Sequence, residues 1–113
     1  MSSSLLQITE VSLALIAELR PLVAVIARHD RSLADQLRRA ASSVPLNASE
    51  ASRRCGGDRL HHFRIASGSA AEARTALAVA RAWGYVSNDD AAPADALLDR
   101  VLAMLWRITH PRQ

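Results

Sequence analysis

The sequence predicts an all-α fold, an antiparallel up-and-down four-helix bundle, on three observations. Half of the residues are hydrophobic but only 4% are aromatic, so the core must come from Leu, Val, Ile and many Ala. Alanine has the highest helix propensity, and its small side chain lets helices approach closely. Apolar residues recur three or four positions apart through four long stretches, which is the period of one helix face. The four Gly and four Pro fall mostly where those stretches end or bend. A chain of 113 residues fits a single domain over 1–113.

Residues 5–28 read as the first helix. Ile8, Val11, Leu15, Leu19, Leu22 and Ile26 form its stripe. Leu6, Leu13, Ile16, Val23 and Val25 add apolar surface beside it, more than one core-facing side needs. The excess points to a second buried contact, with another subunit. Pro21 leaves two alternatives, a bent helix or a divided one. His29-Asp30-Arg31 is a short polar turn.

Ser32 is the expected N-cap of the second helix, with Asp35 at capping-box spacing. That helix runs to about Arg54 and carries Leu33, Leu37, Ala40, Val44, Ala48, Ala51 and Cys55 on one stripe. Pro45 lies inside it. Proline has no amide proton and clashes with the preceding turn, so a kink is expected near residues 42–44. Ser42 and Ser43 are placed to satisfy the freed carbonyls. Gly56-Gly57 should end the helix.

Asp58 is the expected N-cap of the third helix. Phe63, Ala66, Ala70, Ala73, Leu77 and Ala80 make its core stripe, and Ile65, Val79 and Trp83 should widen it. Arg64, Ser67, Arg74 and Arg81 lie on the opposite side. Gly68 sits mid-helix, where a close helix crossing would compensate for its poor propensity. Gly84 closes the helix. Ser87 with Asp90 has capping-box spacing, whereas Pro93 fits better if the fourth helix begins at Asp90. Leu97, Leu98, Val101, Leu102, Leu105 and Ile108 point inward there, Asp95 and Asp99 outward, and Pro111 ends the element.

Two stretches together carry a family resemblance. One is Gln36-Leu37-Arg38-Arg39-Ala40 followed by Ser43-Val44-Pro45-Leu46-Asn47 and Glu50. The other runs from Phe63 through Ser67-Gly68-Ser69 to Glu72 and closes with Gly84-Tyr85-Val86-Ser87. Over roughly 33–87 the chain resembles the bacterial four-helix-bundle family of proteins encoded in intervening sequences of large-subunit ribosomal RNA genes. That family is related to the accessory variability determinant protein of diversity-generating retroelements. The resemblance implies a ring-shaped homopentamer and a basic surface able to bind RNA or DNA. In the retroelement branch it implies a reverse-transcriptase partner. It implies no enzymatic activity. The chain departs from the pattern at Ala48, Ser49 and Ala51, where the family reads Ile-Ala-Glu-Gly around Glu50, and its turn after Arg54 carries no Lys run.

Charge and chemistry set the remaining expectations. The 14 basic residues are all Arg and outnumber 11 acidic ones, for a net charge of +3. Arginine gives planar, bidentate contact to phosphate. An all-Arg content also follows from a GC-rich coding bias. Arg38, Arg39, Arg53, Arg54, Arg59 and Arg64, joined by His61 and His62, are the candidate nucleic-acid contacts. The alternative is a solvated face with internal ion pairs to Glu50, Asp58 and Glu72, which leaves a protein-only homo-oligomeric adaptor. Glu72, among apolar residues, is expected to pair with Arg38 or Arg39 on the neighbouring helix. A catalytic acid has no second carboxylate or nucleophile beside it here.

The remaining polar groups point away from chemistry. Adjacent His61 and His62 diverge by about 100° on a helix, and a lone Cys excludes the common zinc frameworks, so neither a metal nor a cofactor is expected. Cys55 reads as a small buried residue closing its stripe. Trp83 and Trp106 read as core or interface anchors. Charges and Pro21 interrupt the N-terminal apolar run, which excludes a signal peptide or membrane span and predicts a cytoplasmic, non-enzymatic binding protein.

Overall fold

The computed structural model describes residues 3–111. Four helices follow one another: α1 (Ser3–His29), α2 (Arg31–Ser52), α3 (Gly56–Ala82) and α4 (Asn88–Thr109). Connections this short force each helix to turn back on the one before it. Each packs against the next, and α4 returns to α1, which closes a four-helix bundle. Its extents are 43 × 23 × 20 Å. The long axis matches helices of 27 residues, about 40 Å at 1.5 Å per residue.

The expected stripes are the core. Ile8, Leu15 and Ile26 of α1, Leu37 and Val44 of α2, Phe63 and Leu77 of α3, and Leu98, Val101 and Leu105 of α4 are fully buried. Between them Ala66, Ala70, Ala73 and Ala80 are also fully buried, so α3 meets its neighbours mainly through methyl groups. Ile65, Val79 and Trp83 do not widen this stripe. They are 37%, 37% and 70% exposed and form a separate outer row.

Several termini differ from expectation. The N-cap of α2 is Asp30, whose Oδ1 accepts the Leu33 amide at 3.0 Å, and Ser32 lies one residue inside the helix. The aspartate wins because a carboxylate at the N-cap is favoured both as an acceptor and by the helix dipole. Gly56 and Gly57 open α3 instead of closing α2, and Asp58 lies in its first turn. The chain reverses at Gly56, with φ at +59°, a conformation L side chains rarely adopt. At the far end of α3, the Gly84 amide bonds to the Arg81 carbonyl and the Tyr85 amide to the Ala80 carbonyl, both at 2.9 Å. This paired closure requires the positive φ of 77° at Gly84. Ser87 is the N-cap of α4, accepting the Asp90 amide at 3.0 Å, so Pro93 falls in the second turn.

Helices α1 and α2 run continuously through Pro21 and Pro45. Proline at position 45 leaves the Ala41 carbonyl without its usual donor. Neither neighbouring serine turns to it, since Ser42 Oγ donates to the Arg38 carbonyl at 2.8 Å. Gly68 is not at a helix crossing: a Cβ there would meet nothing within 4 Å. Glycine inside a helix costs about 1 kcal/mol relative to alanine, and nothing in this chain's own packing offsets it.

Phe63 is the one phenylalanine and is 1% exposed. Phe63→Ala should destabilise the fold by about 3–5 kcal/mol, because methyl-sized neighbours cannot collapse into the space left. Urea unfolding followed by helical circular dichroism should show a lowered midpoint at unchanged slope.

Candidate interaction surfaces

The two stretches singled out in the sequence face each other across α2 and α3. Ser69 Oγ donates to Ser43 Oγ at 2.8 Å. The Asn47 amide donates to the same Ser43 oxygen at 2.9 Å and to the Ser43 carbonyl at 3.0 Å. Its carbonyl oxygen lies 3.2 Å from His62 Nδ1. A direct bond between two serine hydroxyls requires closely approaching backbones, which the alanine-rich stripe of α3 allows. His62 is therefore tied into the seam, while His61 is exposed and meets it edge-on with ring centroids 5.6 Å apart. Among the described residues no group of three His, Cys, Asp or Glu side chains is placed to hold a metal ion.

The six arginines do not form one surface. Arg38 lies 3.9 Å from Asp35 and lines a groove between α1 and α2. Arg39 is exposed and belongs to no ion pair among the described residues, and the same holds for Arg64 on α3. Arg53 and Arg54 turn back onto Glu50, with Arg54 at 2.8 Å. Hydrogen bonds from Arg54, then Arg53, hold the Glu50 carboxyl down at about 2, and Glu50 in turn raises Arg54. Arg59 is half-buried, with its guanidinium carbon 5.1 Å from the centre of the Phe63 ring. It covers the core instead of reaching outward.

The expected internal pair of Glu72 with Arg38 or Arg39 is absent. Glu72 is exposed and joins none of the ion pairs among the described residues. Arg38 is turned toward α1, and the α2–α3 contact is made by the serine–asparagine seam. Cys55 is likewise exposed, because α2 ends at Ser52 and its stripe closes at Ala51. The ion pairs between α3 and α4 were not foreseen. Arg81 pairs with Asp95, and Arg74 lies 3.4 Å from Asp99. The spacing of four between the two aspartates and of seven between the two arginines was the available signal.

Of the apolar excess on α1, Ile16, Val23 and Val25 are half-buried against the core and the rest is on the surface. Leu6 and Leu13 are 52% and 56% exposed. Leu13, Ile16, Ala17 and Val23 of α1, with Ala41 and Ser42 of α2, line a groove of about 390 Å³ flanked by Arg20 and Arg38. Trp83 and Trp106 are not core residues, at 70% and 59% exposure. Each instead joins an aromatic stack at one end of the bundle. Tyr85 stacks on His29 at 4.8 Å and lies 6.4 Å from Trp83, and Trp106 stacks on His110 at 4.4 Å. The spacing of four between Trp106 and His110 was the available signal for that stack, whereas His29 reaches Tyr85 from the end of α1, which residue spacing alone did not reveal.

These features define an all-α four-helix bundle whose distinctive chemistry lies on its outside, in an apolar groove, unpaired arginines and exposed rings. The chain belongs to the family of 23S rRNA-intervening sequence proteins, whose model matches residues 5–107. Its fold is similar to the crystal structure of a protein with unknown function from the S23 ribosomal protein family of Bacteroides thetaiotaomicron. The two share 17% identity over 90% of this chain and 97% of that one, with a TM-score of 0.82. No curated protein matches the sequence. No helix among the described residues is long and apolar enough to cross a membrane.

The Glu50 cluster has a defined pH response. Its carboxyl titrates at about 2 in the folded chain against 4.5 for the free group, so whatever it contributes to stability is complete above about pH 4.5. That contribution is lost as pH falls through 2. A carboxyl-carbon NMR titration should give Glu50 a midpoint near 2, and Arg54→Gln should raise it toward the ordinary carboxylate range.

Proposed function

We propose that this protein acts by binding rather than catalysis, as a self-associating scaffold that holds nucleic acid on exposed arginines. The observation that carries the reading is the solvent-facing apolar side of α1, where Leu6 and Leu13 are more than half exposed beside an apolar groove. A row of this kind on a small chain marks a protein–protein contact. Assembly into a ring of about five copies fits a contact between two different patches on each chain. Arg39 and Arg64, free of ion pairs among the described residues, supply cationic groups that a ring would repeat. Repetition of weak phosphate contacts raises avidity by about 10²–10⁴.

A protein-only adaptor is the second reading, and one observation favours it. Arg53 and Arg54 are engaged by Glu50, which lowers the free positive charge at the α2–α3 turn.

Light scattering at micromolar concentration should give a mass near five chains, and a monomer sinks the scaffold reading. Fluorescence anisotropy with generic duplex and single-stranded oligonucleotides should show binding that weakens steeply with salt, as counterion release requires. Substituting Arg39 and Arg64 by Ala should flatten that salt slope. An intact oligomer that binds no oligonucleotide even at low salt leaves the protein-only adaptor.

A further inference from the structure

Two exposed rows of this chain match each other. The first belongs to the α1–α2 groove, with Leu13 and Arg20 at its rim and Arg38 beside it. The second lies on α3. Ile65 and Glu72 are four residues before and three after Ser69, which faces α2 through its bond to Ser43. The opposite edge of α3 carries Arg74 and Arg81, which reach α4. The α3 row therefore lies on the α2–α3 side of the bundle, next to the groove side, and the two sides share α2.

Heights along the bundle axis follow from the same contacts. Arg20 and Arg38 line one groove, so residue 20 of α1 stands level with residues 38–42 of α2. Ser69 stands level with Ser43, and α2 and α3 run in opposite directions. Glu72, three residues on, is then level with Ala40, and hence with Arg20. Seven residues earlier on each helix stand Leu13 and Ile65, both exposed. Seven residues later stand Ala27 and Val79. Both rows repeat every seven residues along helices that run the same way, which is the spacing of a coiled-coil seam. Their central charges are opposite, and both Arg20 and Glu72 are outside the ion pairs among the described residues.

Gly68 completes the match. It lies on the α3 row between Ile65 and Glu72, with open space where a Cβ would be. Inside the chain that glycine is unexplained. Against a second helix it permits close backbone approach.

We propose that the α1–α2 groove of one copy receives the Ile65–Gly68–Glu72 row of the next, with Arg20 of the first paired to Glu72 of the second. Rotation about an axis parallel to the helices leaves every height unchanged, so the level rows of one copy meet those of its neighbour. Adjacent sides of a four-helix bundle face about a right angle apart, and a head-to-tail contact between such sides closes after about four or five copies. The ring then has α2 on its inner wall. This inference rests on the self-association proposed above and specifies which surfaces make it.

The test is charge reversal with sedimentation velocity at micromolar concentration. Arg20→Glu and Glu72→Arg should each reduce the wild-type assembly to single chains, and the double variant should restore it. In a Cys55→Ser background, Leu13→Cys combined with Ile65→Cys should give a ladder of disulfide-linked chains on a denaturing gel after mild oxidation. Either cysteine alone should give none. A wild-type monomer overturns both readings. A wild-type oligomer that survives the single reversals, or that gives no ladder with paired cysteines, overturns this contact and leaves self-association standing.

Discussion

The close approach of α2 and α3 is the constraint on which the rest of the molecule depends. Alanines at 66, 70, 73 and 80 leave α3 with little side-chain bulk on its buried face. The two backbones come near enough for one serine hydroxyl to bond another at 2.8 Å. Larger residues would hold the helices apart and leave those hydroxyls half-buried without each other, at a cost of about 1–3 kcal/mol for each orphaned group. A single direct bond also sets register. With Ser43 opposite Ser69, His62 falls beside Asn47, and Arg59 Nη1 comes within 3.5 Å of the Ala51 carbonyl.

That register decides what the surface displays. The seam occupies the polar edge of α2 that faces α3, which turns Arg38 toward α1 and leaves Glu72 on the outside. On the other edge of α3, Arg81 and Arg74 bridge to Asp95 and Asp99. Surface pairs of this kind contribute about 0–1 kcal/mol each, so they orient α4 more than they stabilise it. Their larger effect is subtractive. Ion pairs neutralise charge on the α3–α4 side and at the α2–α3 turn, and Arg20, Arg39 and Arg64 are among the cations left outside the ion pairs of the described residues.

The family relation and the surface chemistry bear on different questions. A shared fold at 17% identity needs little more than the apolar stripes that bury the four helices against one another. The proposed contact surfaces are built from positions that the core does not constrain. Leu6, Leu13, Ile65 and Val79 are therefore the more informative residues about this chain's own role, because they are exposed large apolar side chains outside the buried core.

The sequence by itself determined the four helices, their order and nearly all of their buried faces. Apolar periodicity is local, and every fully buried large residue of the stripes from Ile8 to Leu105 lies where spacing placed it. Helix ends were less legible. Asp30 and Ser32 are both good caps, and the carboxylate's added attraction to the helix dipole favours Asp30. Partners on different helices were decided by tertiary structure, whereas Arg53 and Arg54 with Glu50, Arg59 with Phe63 and Trp106 with His110 keep local three- or four-residue spacings. Glu72 lost its expected arginine, Arg81 and Arg74 found Asp95 and Asp99, and Tyr85 joined His29. The physical reason is range. A stripe is set by residues three and four apart on one helix, whereas a salt bridge or ring stack between two helices depends on their relative rotation and height, which no single helix encodes.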